Sequence, residues 1–348
     1  MKRCSFIISL FICSMIVACL SCKKDGSLIY ENVDIKEFMA KSQKDDKYHC
    51  LILMDIASSA NDKYRAFLSH NKKLTDKALF NIVDVNIMEN KWLEQWLSPM
   101  TIPVTCVFNP SGKLINLIGG CTYESTSLLK ENIVNERDVD EYMYPNRFNL
   151  KKREIISVMG KTLECKLKLD NKENISDDIQ DVLSVLKYPY NLSLKLENEL
   201  KLGLDSLAIR TSKDILSLKN SYNILLFHDL FFTAEQVADT NYNIKKAQNI
   251  EIISDSINLG DCIKGETYLF DISIKNKGYY PLTIYEVYSG CGCLAYLGDR
   301  VTIPMQETVK LSFKFVPEVK GNVFRTAYII SDSRSNNFEE LKIYAFVK

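Results

Sequence analysis

The chain is 348 residues long, enough for two or three domains, and its 46% hydrophobic and 25% charged residues are ordinary for a soluble globular protein. Lys+Arg and Asp+Glu both number 44. That balance leaves no electrostatic case for a nucleic-acid partner or a polybasic membrane contact.

The N-terminus has a separate character. Lys2 and Arg3 precede an apolar run from Phe6 to Leu20, too short for a comfortable bilayer span and laid out like a secretory signal peptide. The run ends in Ile16-Val17-Ala18-Cys19-Leu20-Ser21-Cys22-Lys23-Lys24-Asp25. Small residues just ahead of a cysteine resemble the lipobox of bacterial lipoproteins. The resemblance implies that residues 1–22 are a lipoprotein signal peptide and that a cysteine thiol carries diacylglycerol. Cys22, with Ser21 before it and a hydrophilic chain after it, is the preferred lipidation site. Cys19, behind Ile16-Val17-Ala18, is the alternative. An uncleaved anchor or an ordinary signal peptide is the remaining reading. Acyl chains insert with about 0.8 kcal/mol per buried CH₂, so a triacylated cysteine anchors stably. The expected location is the outer membrane, facing periplasm or surface, with the membrane contacted through the lipid alone.

The chain has 11 cysteines. Beyond the signal region stand Cys50, Cys106, Cys121, Cys165, Cys262, Cys291 and Cys293. Their odd number leaves at least one thiol unpaired, and their irregular spacing is not that of a disulfide scaffold. Cys50 and Cys106 sit in apolar runs and are expected to pack as small hydrophobes.

Residues 23 to about 34 are polar and read as a tether. Asp34–Ser42 reads as a helix, His49–Asp55 as a buried strand and Asp62–Asn71 as a helix with Asn61 at its N-cap. Phe80–Asn86 is a second strand, and Asn90–Leu97 is a short helix bearing Trp92 and Trp96. From Thr101 to Gly120 an Ile102-Pro103 step leads an apolar run, a Pro-Ser-Gly-Lys turn and a second apolar run, the pattern of a β-hairpin. A helix from about Ser125 to Asn135 follows. The order βαβα, hairpin, α gives a mixed α/β sheet. It resembles the thioredoxin fold over roughly residues 30–137, within a domain placed at 23–137. The resemblance implies a cis bond at Pro103, facing the loop that carries the dithiol in redox-active members. Here that loop is Ile56–Tyr64, with Asn61 and Tyr64 where cysteines would stand. Dithiol exchange at the usual place is therefore excluded. The expectation is a scaffold without that chemistry, with a binding groove between Pro103 and Asn61/Tyr64. A relocated thiol pair, Cys106 and Cys121, is the alternative, although Cys106 should point into the sheet.

Residues 138–246 carry apolar residues at helical spacing: Arg147–Leu169, Ser176–Leu186, Asn191–Leu202, Asp205–Leu218 and Ile224–Ala238, with Tyr188-Pro189-Tyr190 as punctuation. They read as a helical connector. One helix–Gly203–helix unit loosely resembles a tetratricopeptide hairpin.

From Ile250 the period becomes two, as in Tyr268–Ile274, Lys310–Phe315 and Leu341–Phe346, with turn signals between the runs. Short strands at this spacing read as a β-sandwich over residues 250–348. The series Gly260-Asp261, Gly265-Glu266, Asn276-Lys277-Gly278, Pro281-Leu282, Ser289-Gly290-Cys291-Gly292-Cys293, Ile303-Pro304, Phe313-Lys314-Phe315 and Gly321 resembles an Ig-like sandwich family of unknown function. That family is marked by Cys-Gly-Cys and common in Gram-negative envelope lipoproteins. It implies a fold and a location, not an activity.

Cys291 and Cys293 admit three readings. Side by side on a strand they make half of a soft-metal site, but His49, His70 and His228 are all remote in sequence. Bonded to each other they form a small, redox-labile ring. Otherwise they pack or pair structurally, with Cys262 as a candidate partner. No Gly-X-Ser-X-Gly, phosphate-binding glycine loop or His-Glu-X-X-His occurs. Asp205-Ser206-Leu207 and Asp255-Ser256-Ile257 resemble a short O-glycosylation signal of exported proteins. The sequence thus points to a multidomain, non-enzymatic envelope lipoprotein without a cofactor, binding an envelope protein or peptide. The alternative is a thiol-disulfide oxidoreductase or redox-responsive protein using Cys291/Cys293 or Cys106/Cys121.

Overall fold

The computed structural model describes residues 29–56, 58–137, 144, 148–289 and 291–348. Cys19 and Cys22 lie outside these residues.

The N-terminal unit comprises β1 (Ile29–Glu31), α1 (Ile35–Lys44), β2 (Tyr48–Met54), α2 (Asp62–His70), α3 (Lys72–Lys77), β3 (Ala78–Asp84), α4 (Lys91–Leu97), β4 (Val104–Phe108), β5 (Leu114–Gly119) and α5 (Tyr123–Ile133). Its five strands are ordered β1-β3-β2-β4-β5. β1 and β2 run parallel to β3; β4 is antiparallel to β2 and to β5. The unbroken apolar runs become central strands because both sheet faces are covered. Pairing sets Leu51 opposite Cys106 and Cys50 opposite Val107. Leu51, Leu53, Val104, Cys106 and Phe108 therefore face one core, while Cys50, Ile52 and Val107 face another with Tyr64, Leu68, Leu128 and Ile133.

The expected tether is shorter than its composition suggests. Ile29–Glu31 adds an edge strand to the sheet. Buried Asn81 fixes the following turn: its Oδ1 accepts from Val33 N at 3.2 Å, and its Nδ2 donates to Val33 O at 2.7 Å. Three residues are too few to show a period.

The next helices are α6 (Lys152–Asp170), α7 (Ser176–Val185), α8 (Pro189–Lys201), α9 (Asp205–Ser217) and α10 (Ile224–Ala238). Pro189 begins α8 rather than interrupting it, since the first helical residue needs no N–H donor. Gly203, at φ 70°, ends it, and Leu204 N bonds to Glu199 O at 2.9 Å. These helices pack against the sheet as a layer. The Trp96 indole N–H donates to Met159 O at 3.1 Å, and the Tyr144 and Tyr188 hydroxyls donate to Leu97 O and Trp96 O. Trp96, Leu117, Met159, Tyr188 and Phe227 belong to one continuous apolar core. Among the described residues no helix is long and apolar enough to cross a membrane.

The C-terminal unit holds β6 (Ile250–Ile252), β7 (Ser256–Cys262), β8 (Tyr268–Asn276), β9 (Leu282–Ser289), β10 (Leu294–Tyr296), β11 (Val301–Ile303), β12 (Thr308–Phe315), β13 (Gly321–Ser331) and β14 (Phe338–Val347). One sheet is ordered β10-β12-β8-β6 and the other β11-β9-β13-β14-β7, with β7 parallel to β14. Alternation sends Ile272, Ile274, Ile284, Phe313, Phe315, Ile329 and Ile343 into a third core between the sheets. The Asn276-Lys277-Gly278 turn has a packing reason. Fully buried Asn276 donates to Tyr280 O at 2.8 Å and accepts from Gly278 N at 2.8 Å. A Cβ on Gly278 would lie 2.1 Å from Ala247 O, where the chain enters the sandwich.

Candidate functional site

The residues singled out in the sequence fall in two separate places. The first lies around Pro103, whose bond to Ile102 is cis and whose carbonyl accepts from Gly120 N at 2.8 Å. Asn61 and Tyr64 are both buried, 5% and 2% exposed. Asn61 does not cap α2 with its side chain; its Nδ2 donates to Asp55 O at 2.8 Å. The Tyr64 hydroxyl shares a 2.8 Å hydrogen bond with Thr105 Oγ1. Burial pushes this phenol far up, although the Thr105 bond acts the other way. Both side chains are used inside the fold, so neither lines an open groove.

Cys106 and Cys121 are free thiols in unlike surroundings, Cys106 fully buried and Cys121 exposed. Burial pushes the Cys106 thiol far up, and Cys50 likewise, with Cys106 beside it adding to the effect. The Cys165 thiol is pushed up to about 12, again mainly by burial. Thiols held protonated in this way are poor nucleophiles at neutral pH.

The second place is the β9–β10 connection. Cys291 and Cys293 form a disulfide with Cα atoms 5.3 Å apart, and Cys262 remains a free, buried thiol. Ser289 Oγ donates to Cys291 O at 2.8 Å and also to Leu294 O. Val316 N donates to Cys293 O at 2.8 Å. Arg325, from β13, donates its Nε–H to Cys293 Sγ at 3.0 Å. Cys293 is 4% exposed, Cys291 is half-buried, and a Cβ on Gly292 would meet nothing within 4 Å. Closing a loop this small removes little unfolded-state entropy, about 1.6 kcal/mol by the chain-entropy relation. One buried Phe contributes as much, so this bond is not the staple of a sandwich with its own core. Among the described residues no group of three or more His, Cys, Asp or Glu side chains is placed to hold a metal ion.

Two features have no local sequence signal. Lys219 sits between the helical layer and the sandwich, its Nζ 2.7 Å from Glu235 Oε1 and 3.0 Å from Asp332 Oδ2. Asp332 also accepts from Thr283 N at 2.7 Å, and His228 Nε2–H donates to Ser333 O at 3.1 Å. A cavity of about 480 Å³ opens beside this cluster, lined by Lys213, Tyr242, Gln248 and Tyr280 among others. The partners are too far apart in sequence for any local pattern to join them. The other feature is aromatic. Tyr288, Tyr328 and Phe338 adjoin one another across β9, β13 and β14, with ring centroids 5.2–5.3 Å apart, and Phe324 and Tyr344 pair at 5.2 Å. All but Tyr328 count among the exposed large hydrophobic side chains. A cavity of about 690 Å³ between the hairpin and α6 is lined by Asn109, Lys113, Arg153 and Lys161 among others. None of the buried polar atoms without a partner belongs to its lining.

The C-terminal architecture, two packed sheets of short strands, defines an Ig-like β-sandwich carrying an internal disulfide at one loop. Residues 250–347 match the family described as "Protein of unknown function (DUF1573)". Among solved structures, a protein of unknown function from Porphyromonas gingivalis W83 is 21% identical, with a TM-score of 0.28. The match covers 31% of this chain and 50% of that one, so this chain spans about half the length of that structure. PapD-like domain 7 of human CEP192 is 12% identical over 31% of this chain and 91% of that domain, with a TM-score of 0.27. No curated protein matches the chain.

Proposed function

We propose that this chain is a non-catalytic, membrane-anchored lipoprotein of a Gram-negative cell envelope. Its modules present binding surfaces to an envelope protein or peptide. The N-terminal sheet is read as thioredoxin-like, with its redox centre replaced by structure. One observation carries this reading: Asn61 and Tyr64, at the two dithiol positions, are buried and bonded to Asp55 and Thr105. A site whose side chains are consumed by the fold has nothing left to exchange with a substrate. The lipobox-like Ala18-Cys19-Leu20-Ser21-Cys22 supports the anchor, and the exposed rings of β9, β13 and β14 are suited to a protein partner.

The decisive assay is insulin reduction by a soluble form comprising residues 23–348. With Cys291 and Cys293 both changed to Ser, the expected result is no turnover above the uncatalysed rate, and turnover that depends on the remaining cysteines would sink the proposal. Anchoring is tested by fractionating cells that express the full chain or its Cys22→Ala variant. Wild type should follow the membrane as a triacylated species by mass spectrometry, with the variant released. Equal partitioning of both would remove the anchor at Cys22.

A further inference from the structure

The Cys291–Cys293 disulfide has two unlike ends. Cys291 is half-buried beside solvent-exposed Gly292, whereas Cys293 is 4% exposed and accepts the Arg325 Nε–H at 3.0 Å. A guanidinium stays charged at every accessible pH. A disulfide sulfur is a weak acceptor for it, whereas a thiolate is a strong one. The interaction therefore strengthens as negative charge develops on Cys293, which is the condition for assisting a reaction rather than only holding the ground state. By loop entropy alone the bond contributes only modestly to stability.

We propose that this disulfide is a thiol-exchange site, with Cys291 as the attacked sulfur, Cys293 as the leaving sulfur and Arg325 as the group that receives it. An incoming thiolate, from a protein cysteine or a small thiol, attacks Cys291 Sγ. The S–S bond breaks and its electron pair leaves on Cys293 Sγ, opposite Arg325. A mixed disulfide now joins Cys291 to the incoming sulfur. A second thiolate attacks that incoming sulfur and releases Cys291. Two external thiols become one external disulfide, and their two electrons and two protons end on Cys291 and Cys293. This makes the sandwich a redox-responsive module, and it does not depend on the fate of the N-terminal sheet.

The test uses residues 23–348 with glutathione as the thiol, acid quenching, alkylation and mass spectrometry of the loop peptide. The native protein should form a glutathione adduct on Cys291. Arg325→Met should slow adduct formation about three- to tenfold, because a leaving thiol of higher pKa departs more slowly. A purely structural role for Arg325 predicts the opposite sign, since a loosened loop exposes both sulfurs and speeds exchange. Adduct on Cys293, an unchanged or faster rate in Arg325→Met with native near-ultraviolet dichroism, or reduction only in denaturant would each overturn the proposal. If Arg325→Met does not fold, the adduct's position in the native chain still decides which sulfur is attacked.

Discussion

Tyr64 shows how one side chain can replace a chemistry with a contact. Its hydroxyl and Thr105 Oγ1 satisfy each other 2.8 Å apart in a buried setting. Tyr64→Phe should cost about 1 kcal/mol by leaving the threonine oxygen without that partner. Urea unfolding with an unchanged midpoint would remove the hydrogen bond from the account. Lys219 is the larger case. Burial alone would lower its pKa, but Asp332 and Glu235 beside it outweigh burial and raise it. A raised folded-state pKa means that its contribution is fully present below the ordinary lysine value of about 10.4. It is lost only as pH rises through the higher folded value. Lys219→Met should therefore cost about 2–4 kcal/mol at pH 7, mostly from stranding two carboxylates. Adding Glu235→Gln and Asp332→Asn should recover part of that loss, as read from the thermal midpoint.

At the scale of elements, α1 meets β2 through His49, which is fully buried and donates Nε2–H to Met39 O at 3.2 Å. Burial lowers its pKa, outweighing the carbonyls of Met39 and Lys47. A lowered folded-state pKa contributes stability above the unfolded value of about 6.5, and that stability is lost as pH falls through the folded value. The stability of wild type should decline between pH 7 and pH 5 more steeply than that of His49→Gln. Parallel curves would assign the acid sensitivity elsewhere, with His228, also lowered by burial, next in line. Most elements are legible because their periods are: Cys50–Met54 is apolar throughout, and Lys310–Phe315 alternates. Where reading fails, distance or brevity is the cause. β1 is too short to carry a pattern. Pro189 punctuates on paper but starts a helix. Asn61 precedes α2 yet bonds backward to Asp55. The Cys291–Cys293 bond was one of three readings, and nothing local to the loop identifies Arg325 of β13 as its neighbour.

The whole molecule is held by three apolar cores among the described residues. One sheet face and the helices share a core that Ile330 of β13 also joins, the other sheet face has its own, and the sandwich encloses a third between its sheets. A fragment of residues 23–137 would expose Trp96 of α4 together with Cys106 and Leu117 of the sheet. It should show no cooperative thermal transition, whereas residues 247–348 should unfold cooperatively alone. A sharp transition in the first fragment would show that the sheet folds without its helical layer.

The parallel pairing of β7 and β14 has a mechanical consequence. β7 follows β6 from the helical side, and β14 runs to Val347 at the opposite end of their shared ladder. Tension applied between the two ends of the chain pulls these strands in opposite directions along their length. The ladder from Lys342–Ser256 to Val347–Cys262 is then loaded in shear, all its bonds at once, instead of being opened one rung at a time. Single-molecule stretching should find the sandwich yielding at higher force from its two ends than when pulled across the β13–β14 turn, and equal forces would deny the ladder that role.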